Sequence, residues 1–307
     1  MQRRPHVLML FLDGVGIGAK DSGSNPFFVA PLVALRRLLG GDLPHLEDPY
    51  REAPGVSLAP LDATLGVPGL PQSGTGQVAL LTGENAAQTI GRHFGPFPYS
   101  TLKPLLEDRN IFTRLKASGK AGFYANAFPK LYFDHMKTRN GRMTAIPLSW
   151  TMAGHALHDA DALAEGNALS ADITNARWPK LGYPTMPLIS SVDAGRRLTR
   201  MAQTYDFVLF EFYLTDHAGH SQSMEEGVRA LTMIDGLLGS VMDSFDPDST
   251  LLLITSDHGN LEDLSTKTHT RNPVPLLAAG ASRKEFLAGI NDLTGVAPAI
   301  LRVLGAE

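Results

Sequence analysis

Residues 7–14 of the chain read VLMLFLDG, six apolar residues that run directly into an aspartate and a glycine. Three further apolar runs, Phe207–Leu214, Leu251–Thr255 and Val274–Ala278, end in polar or glycine-rich turns. Continuous apolar runs of this length are typical of strands that a parallel sheet buries on both faces. The sequence therefore predicts an α/β fold whose central sheet is mostly parallel.

Helical patterns flank these predicted strands. Apolar residues recur at helix-like spacing in Val192–Gln203 and Gly227–Phe245, and Val296–Leu304 is typical of a closing helix. Between about residues 84 and 189 the periodicity weakens, and glycine, proline and asparagine become frequent. We therefore expect residues 1–83 and 190–307 to form the sheet-based core, flanked by helices. Residues 84–189 are predicted to form a small inserted cap, with approximate boundaries.

The composition excludes several classes of protein. The 307 residues contain no cysteine, which removes disulfides, thiolate nucleophiles and cysteine-based metal sites. The formal net charge is −4, without the excess of positive charge that nucleic-acid-binding proteins have, so we expect no nucleic-acid partner. No apolar run reaches the roughly 20 residues that span a bilayer, and the first one is too short for a signal peptide. We expect a cytoplasmic protein with no membrane partner; the sequence does not indicate its oligomeric state.

Aspartates follow three of the predicted strands. Asp13, Asp216 and Asp257 each come at the end of an apolar run. Because the carboxyl ends of parallel strands share one edge of a sheet, these three carboxylates are expected at one crevice. Aspartate also commonly starts a turn after a strand, and each of the three taken alone fits that simpler interpretation.

Histidines accompany these aspartates. His258 follows Asp257 directly, His220 lies four residues after Asp216, and His269 comes eleven residues after His258. Carboxylates crowded at one edge repel each other by about 4 kcal/mol per pair at 4 Å and an effective dielectric constant near 20. A cation must offset this repulsion, and interleaved imidazoles make a divalent metal the simplest choice.

The glycines after Asp13 allow a second interpretation. Residues 14–19 read GVGIGA and fit the dinucleotide-binding pattern G-x-G-x-x-G/A. A nicotinamide site would need an acidic residue ending a second strand about 20 residues later. The stretch Val29–Leu39 instead has a helical pattern, and no strand precedes Asp42. The glycines are better explained as the turn that leads the chain away from Asp13.

A hydroxyl nucleophile is available in the stretch GLPQSGTGQ, residues 69–77. Its small residues precede the apolar, helix-like run Val78–Leu81. This pattern places Ser73 or Thr75 at a helix N-terminus, where backbone amides and the helix dipole favour anions. Either residue alone could simply cap the helix. A metal site nearby would make a serine alkoxide plausible, because metal coordination activates hydroxyl nucleophiles.

Together these stretches resemble the metalloenzyme branch of the alkaline phosphatase superfamily, closest in style to cofactor-independent phosphoglycerate mutases and phosphopentomutases. The matching stretches are DGVG at 13–16, QSGTGQ at 72–77, DHAGH at 216–220, SDHGN at 256–260 and HTRNPVP at 269–275. The stretch GVAPAIL at 295–301 resembles the family's closing helix. The resemblance covers about two thirds of the chain and implies an alkaline-phosphatase-like fold.

The resemblance also implies a two-metal site. Asp13, Ser73, Asp257 and His258 would hold one divalent ion, and Asp216, His220 and His269 would hold the other. Ser73 would be the nucleophile that takes up phosphate as a phosphoserine, with Thr75 as the alternative. The relatives favour Mn²⁺, and nitrogen and oxygen ligands also permit Zn²⁺. The implied substrate is a small phosphorylated metabolite.

The chain departs from the mutase pattern at two positions beside the serine. Gly74 stands where the family has an acidic residue, and Gln77 where it has a histidine. The chain is also shorter than the usual mutases, so its substrate specificity is expected to differ. The residues of the insertion proposed to bind the substrate are Arg92, His93, Lys103, Arg139 and Arg142.

We therefore expect a two-metal phosphoryl-transfer enzyme of the phosphatase or phosphomutase type. One alternative is a member of the same fold that binds metal or ligand without catalysis. A nicotinamide-dependent oxidoreductase is a more distant alternative.

Overall fold

A computed structural model describes residues 5–307 and contains a seven-stranded sheet. Its strands are β1 (His6–Leu12), β2 (Arg51–Ala53), β3 (Val56–Leu61), β4 (Gly122–Tyr124), β5 (Phe207–Phe212), β6 (Thr250–Thr255) and β7 (Val274–Ala279). The spatial order is β2-β3-β7-β6-β1-β5-β4. Strands β4, β5, β1 and β6 are parallel, whereas β7 is antiparallel to both β6 and β3. The predicted mostly parallel α/β sheet is confirmed.

Helices cover both faces of this sheet. They are α1 (Val33–Leu39), α2 (Ser73–Thr82), α3 (Ala86–Ile90), α4 (Lys103–Arg109), α5 (Ile111–Ala117), α6 (Lys130–Met136), α7 (Ala145–Met152), α8 (Ala160–Ala164), α9 (Ser191–Thr204), α10 (Leu214–Ser221), α11 (Met224–Ser244), α12 (Arg283–Leu287) and α13 (Val296–Leu304). None of those found in residues 5–307 is long and apolar enough to cross a bilayer.

Alternate side chains of each central strand enter two different hydrophobic cores. On β1, Val7, Met9 and Phe11 pack on the side that carries α2 and α13, and Leu8 and Leu10 pack on the side of α9 and α11. All five side chains are essentially inaccessible to solvent. Burial on both faces explains why these strands are continuous apolar runs rather than alternating ones.

The four predicted strands are present within one or two residues of the expected bounds. The largest difference is at β5, which ends at Phe212 instead of Leu214 because α10 begins at that residue. Strands β2, β3 and β4 were not predicted. Two of them have only three residues, too few for a periodic pattern to be recognised.

The sheet brings four chain segments to one edge. The carboxyl ends of β1, β5 and β6 lie there because these strands are parallel. Since β7 runs in the opposite direction, its beginning lies at the same edge, together with the segment that precedes it. Asp13, Asp216, Asp257 and His269 therefore converge although the chain separates them widely.

The predicted boundaries of the cap need a correction. Strand β4 lies within residues 84–189, yet it pairs with β5 in the central sheet. Phe112 of α5 and Trp150 of α7 also belong to the main core. A separate small cluster of buried side chains, which includes Leu163 and Trp178, forms only beyond β4. We use the term cap segment for residues 126–189, which follow β4 and precede α9, although α7 within this segment packs on the main core.

Candidate metal centre and active site

Helix α2 presents Ser73 as its first residue, and this side chain is buried but lines a cavity. The helix starts after Gln72, whose backbone is extended, and the small residues of its first turn permit close packing. A side chain at Gly76 would lie 2.8 Å from the carbonyl oxygen of Asp257. The absence of a side chain at Gly76 thus lets the first turn of α2 approach the loop after β6.

The alternative nucleophile, Thr75, faces the protein backbone instead. Its hydroxyl donates to the carbonyl of Gln72 at 3.1 Å and accepts from the amide of Phe94 at 3.3 Å. The residue is inaccessible to solvent and does not line the cavity that Ser73 lines. Geometry therefore favours Ser73 over Thr75 as the group that could meet a substrate.

A first cluster of possible ligand atoms surrounds Nε2 of His258. The Oγ of Ser73 lies 3.0 Å from this nitrogen, Oδ1 of Asp13 lies 3.4 Å from it, and Oδ2 of Asp257 lies 3.7 Å from it. Atoms that share a tetrahedral ion at 2.0–2.1 Å stand about 3.3–3.4 Å apart. The four side chains predicted to share one ion are thus brought together at suitable separations.

A second cluster forms around Nε2 of His269. It lies 3.1 Å from Nε2 of His220 and 3.7 Å from Oδ1 of Asp216, and His220 lies 3.4 Å from the other oxygen of Asp216. These three side chains are the predicted ligands of the second ion. His258 stacks on His269 with ring centroids 3.7 Å apart, so the two clusters adjoin.

The division of ligands between the two clusters has one ambiguity. His258 is within 4.8 Å of Asp216 and His269 as well as of Asp13 and Asp257. His258 could therefore bind the ion of either cluster. In the predicted assignment it belongs to the first cluster, and the more exposed His220 joins Asp216 and His269 in the second. Both pairings are compatible with the separations of the ligand atoms.

The charges at this edge fit a bound cation. The Oδ1 of Asp13 is buried and has no hydrogen-bond partner. Burial, and then the nearby carboxylates of Asp257, Asp216 and Glu211, raise the pKa of Asp13 well above its usual range. A divalent ion would supply the positive charge that this buried carboxylate lacks, since buried carboxylates are normally paired or bound to metal.

The histidines are oriented as metal ligands would need to be. The Nδ1 of His269 lies 2.7 Å from the carbonyl oxygen of Pro71, and Nδ1 of His220 lies 3.1 Å from that of Lys267. A carbonyl can only accept, so each Nδ1 carries the proton and each Nε2 keeps its lone pair. Burial and the adjacent His258 lower the pKa of His269, which favours the neutral imidazole that binds metal.

Glu262, which the sequence analysis missed, holds the loops of the site together. One carboxylate oxygen accepts hydrogen bonds from the amides of Gly16 and Asn260, each at 2.8 Å. The other accepts from Thr270 at 2.5 Å and from Asn272 at 3.0 Å. The carboxylate thus joins the loops after β1 and β6 to the segment before β7. In the sequence, only its position four residues after His258 indicated that Glu262 belongs to the site.

The loops are joined at two further points. Thr215 donates its hydroxyl to the carbonyl oxygen of Asp13 at 2.6 Å, which holds the start of α10 against the end of β1. Asn260 donates to Oδ1 of Asp216 at 2.7 Å. Gly14, in a left-handed conformation with φ of 68°, leaves room for Asp216, because a side chain there would come within 2.5 Å of Oδ1.

Both departures from the mutase pattern have a structural explanation. A side chain at Gly74 would collide with the carbonyl oxygens of Phe97 and Phe94, the latter at 2.6 Å. The loop over the start of α2 therefore fills the space that the family's acidic residue would need. Gln77 donates its amide to Oδ2 of Asp257 at 3.1 Å and also lines the cavity.

The cavity above the clusters has a volume of 870 Å³, within the range of small-molecule sites. Asp13, Ser73 and Asp216 lie on its sheet side. The cap segment supplies much of the rest, including the aromatic side chains of Phe128 and Tyr132. If a phosphate ester bound with its phosphate at Ser73, its organic part would thus contact the cap segment.

The five predicted substrate residues differ in position. Arg142 lines the cavity, and Lys103 lines a neighbouring pocket together with Arg142. Arg92 does not line the cavity, and its guanidinium lies 5.5 Å from the ring of Tyr99. His93 is bonded to the carbonyl of Val67 at 3.2 Å, and Arg139 is exposed. Arg177, which the sequence analysis did not single out, also lines the cavity.

Comparison with known proteins gives one family match. Residues 182–307, which carry α10 and the loops around His258 and His269, match the model of the metalloenzyme superfamily. A 2,3-bisphosphoglycerate-independent phosphoglycerate mutase from Pseudomonas putida is 30% identical over 139 residues, or 42% of this chain. One from Escherichia coli gives the same figures. The matched part spans only 27% of these relatives' length.

Solved structures resemble the chain along its whole length. The PH0037 protein from Pyrococcus horikoshii has a TM-score of 0.59 at 14% identity, covering 100% of this chain and 98% of its own. Alkaline phosphatase from the Antarctic bacterium TAB5 has a TM-score of 0.56 at 12% identity, covering 99% of both chains. At such identity the likeness establishes the fold alone. The motif-based resemblance is confirmed: the fold is alkaline-phosphatase-like, and residues 182–307 match the metalloenzyme superfamily.

Proposed function

We propose that the protein is a two-metal phosphoryl-transfer enzyme that acts on a small phosphate ester through a phosphoserine at Ser73. One observation carries the proposal. The Oγ of Ser73 stands at the N-terminus of α2, lines the cavity, and lies 3.0 Å from Nε2 of His258 within a cluster of carboxylates. A serine that served only as a helix cap would not need these neighbours.

The proposed ligands divide as the motifs imply. Asp13, Ser73, Asp257 and His258 would hold one ion, and Asp216, His220 and His269 would hold the other, with Mn²⁺ proposed first and Zn²⁺ as the alternative. When bound, the ions would lower the pKa of the serine hydroxyl and offset the charge of the phosphoryl group. The ligand separations and the lack of a hydrogen-bond partner for Oδ1 of Asp13 support this assignment.

The chemistry proposed for Ser73 proceeds in two displacements. The Oγ of Ser73, which has released its proton to water, attacks phosphorus, the bond from phosphorus to the ester oxygen breaks, and the leaving alkoxide takes a proton from water. The positive end of the α2 helix dipole, at which Ser73 stands, would stabilise the oxygens of the transferred group. In the second displacement a water molecule or another hydroxyl of the substrate attacks phosphorus and gives up its proton, the bond from phosphorus to Oγ breaks, and Oγ is protonated again.

The second displacement decides between a phosphatase and a phosphomutase. Water must reach the phosphoserine in a phosphatase, whereas a mutase must exclude it while the substrate turns. The named relatives are mutases, but they are matched over a minority of their length, and Gly74 and Gln77 depart from the mutase pattern. The proposed function therefore includes both hydrolysis and transfer within the substrate.

The test is a panel of phosphate esters assayed with Mn²⁺ and with Zn²⁺, followed by phosphate release and by isomer formation. Wild-type protein should act on at least one ester, and chelation of metal should abolish the activity. Ser73→Ala should lose it, whereas Thr75→Val, which keeps the shape of a buried side chain, should retain turnover. Full activity in Ser73→Ala would overturn the assignment of the nucleophile.

A further inference from the structure

The cavity contains a buried carboxylate that the proposed phosphoryl transfer does not use. Glu211 lies on β5, close to the site, and its side chain lines the cavity although the residue is 7% exposed. It is not among the groups of side chains that could hold a metal ion. A buried charge outside the reacting groups calls for a separate explanation.

The structure holds Glu211 rigidly from two directions. Tyr124 donates its hydroxyl to Oε2 of Glu211 at 2.5 Å. Asn126 spans the backbone of the same residue, donating to its carbonyl at 2.8 Å and accepting from its amide at 2.9 Å. A group fixed in this way is preorganised for recognition, because little rotamer freedom remains to be lost on binding.

The carboxylate retains unused acceptor capacity. An ionised carboxylate can accept at both oxygens, and Tyr124 occupies one site on Oε2. Among residues 5–307, no lysine, arginine or histidine nitrogen lies within salt-bridge distance of Glu211. The hydroxyl of Tyr132, on the same cavity wall, is likewise buried without a partner. A ligand could therefore donate to Glu211, which has acceptor capacity left, and could pair with the hydroxyl of Tyr132.

We propose that Glu211 is a specificity residue that accepts a hydrogen bond from the organic part of the substrate. The preferred substrate is then a phosphate ester whose organic part carries hydroxyl or amine donors and no carboxylate. This inference rests on the proposed function and names the substrate class for that same site. It is distinct from the chemistry at Ser73, since Glu211 would act on the part of the ester that does not react.

The exclusion of carboxylates follows from charge and depth. A substrate carboxylate beside Glu211 would place two like charges in a site sheltered from water, where electrostatic interactions are strong. Arg142 and Arg177 also line the cavity, but both side chains are exposed and screened. Burial raises the pKa of Glu211 to about 7, so assays at pH 8 examine mainly its charged form.

The experiment compares four esters at pH 8 in the metal-loaded protein. Glycerol 3-phosphate and 3-phosphoglycerate form a matched pair in which a carboxylate replaces a hydroxymethyl group. Ethanolamine phosphate tests an amine donor, and phenyl phosphate has no donor in its organic part. The wild type should prefer glycerol 3-phosphate or ethanolamine phosphate to both other esters in kcat/KM.

Glu211→Gln removes the charge and can still accept the hydrogen bond of Tyr124. It should raise kcat/KM for 3-phosphoglycerate relative to glycerol 3-phosphate by about tenfold or more, and lower it for ethanolamine phosphate relative to phenyl phosphate by about 10- to 100-fold. Glu165→Gln removes the same charge from the exposed surface outside the cavity and should leave both ratios at wild-type values.

The outcomes separate this inference from the proposed function. If the wild type is active but Glu211→Gln changes kcat/KM for all four esters by one common factor, Glu211 is only structural and the inference is overturned. A double variant, Glu211→Leu with Tyr124→Phe, gives a second measurement in which no Tyr124 hydroxyl is left without its acceptor, and unaltered ratios there would also overturn the inference. Failure of the wild type to act on any ester would contradict the proposed function itself.

Discussion

The Oγ of Ser73 lies 3.0 Å from Nε2 of His258, although 185 residues separate the two in the chain. This contact joins the first turn of α2 to the loop that follows β6. It exists because β6 and β1 are parallel and end at the same edge, and because Gly76 allows α2 to approach that edge. The contact places a hydroxyl group where carboxylates and imidazoles already meet.

The buried carboxylates should make the site unfavourable for stability when no metal is bound. In chelator-treated protein, Asp13→Asn should raise the free energy of unfolding by about 1–2 kcal/mol, because it removes one of several mutually repelling groups. With Mn²⁺ present the wild type should be the more stable of the two proteins, since the variant has lost a metal ligand. Urea unfolding with and without Mn²⁺ measures both effects.

The matched control is Asp42→Asn, which removes an exposed carboxylate far from the proposed ligands in sequence. It should change the free energy of unfolding by less than about 0.5 kcal/mol in either condition. A loss of stability in Asp13→Asn without metal would show that the carboxylates at this edge do not repel each other appreciably.

Glu262 should be the main structural support of the site. Glu262→Gln places an amide group opposite donors from three loops, and we expect it to lower the free energy of unfolding by about 2–4 kcal/mol. The loss should be accompanied by weaker Mn²⁺ binding, measured by titration. Glu225→Gln, on the exposed surface of α11, should cost less than about 1 kcal/mol. Equal stability of the two variants would remove Glu262 from this role.

The space around Gly74 predicts that the family's acidic residue cannot be restored. Gly74→Asp should lower the free energy of unfolding by more than about 2 kcal/mol, because its Cβ would overlap the carbonyls of Phe94 and Phe97. Thermal unfolding of the variant measures the loss. A Gly74→Asp protein as stable as the wild type would mean that the loop over α2 moves aside readily.

Glu211 should make stability depend on pH. Its pKa is about 7 in the folded protein and 4.5 in an unfolded chain, so the folded state holds a proton more tightly. The resulting stability is fully present below pH 4.5 and is lost as pH rises through 7, by roughly 3 kcal/mol. The difference in free energy of unfolding between wild type and Glu211→Gln, measured without metal, should fall over that interval. A constant difference would contradict the raised pKa.

The sequence predicted those features that depend on local pattern. The apolar runs of β1, β5, β6 and β7 are visible because burial on both faces requires continuous apolar residues. Their order predicted that Asp13, Asp216 and Asp257 would converge. The motifs around His258 and His269 added the family resemblance, which the match to residues 182–307 confirms.

Features that depend on contacts between distant segments were missed. Strand β4 has three residues and is recognised as a strand only by its pairing with β5. The role of Glu262 depends on donors from three separate loops, and Glu211 gains importance only from its position on the cavity wall. Arg92 has an aromatic setting in the sequence, yet that setting places its guanidinium over Tyr99 rather than in the cavity.

Ser73 should carry the phosphoryl group during turnover. The direct measurement is acid quenching of the Mn²⁺-loaded protein during reaction with an active ester, followed by mass spectrometry of the peptide that contains Ser73. We expect one added phosphoryl group on Ser73 in the wild type and none in Ser73→Ala, which should also lose at least about 10³-fold in kcat. Turnover without any phosphoryl group on Ser73, or undiminished turnover in Ser73→Ala, would contradict this role of Ser73.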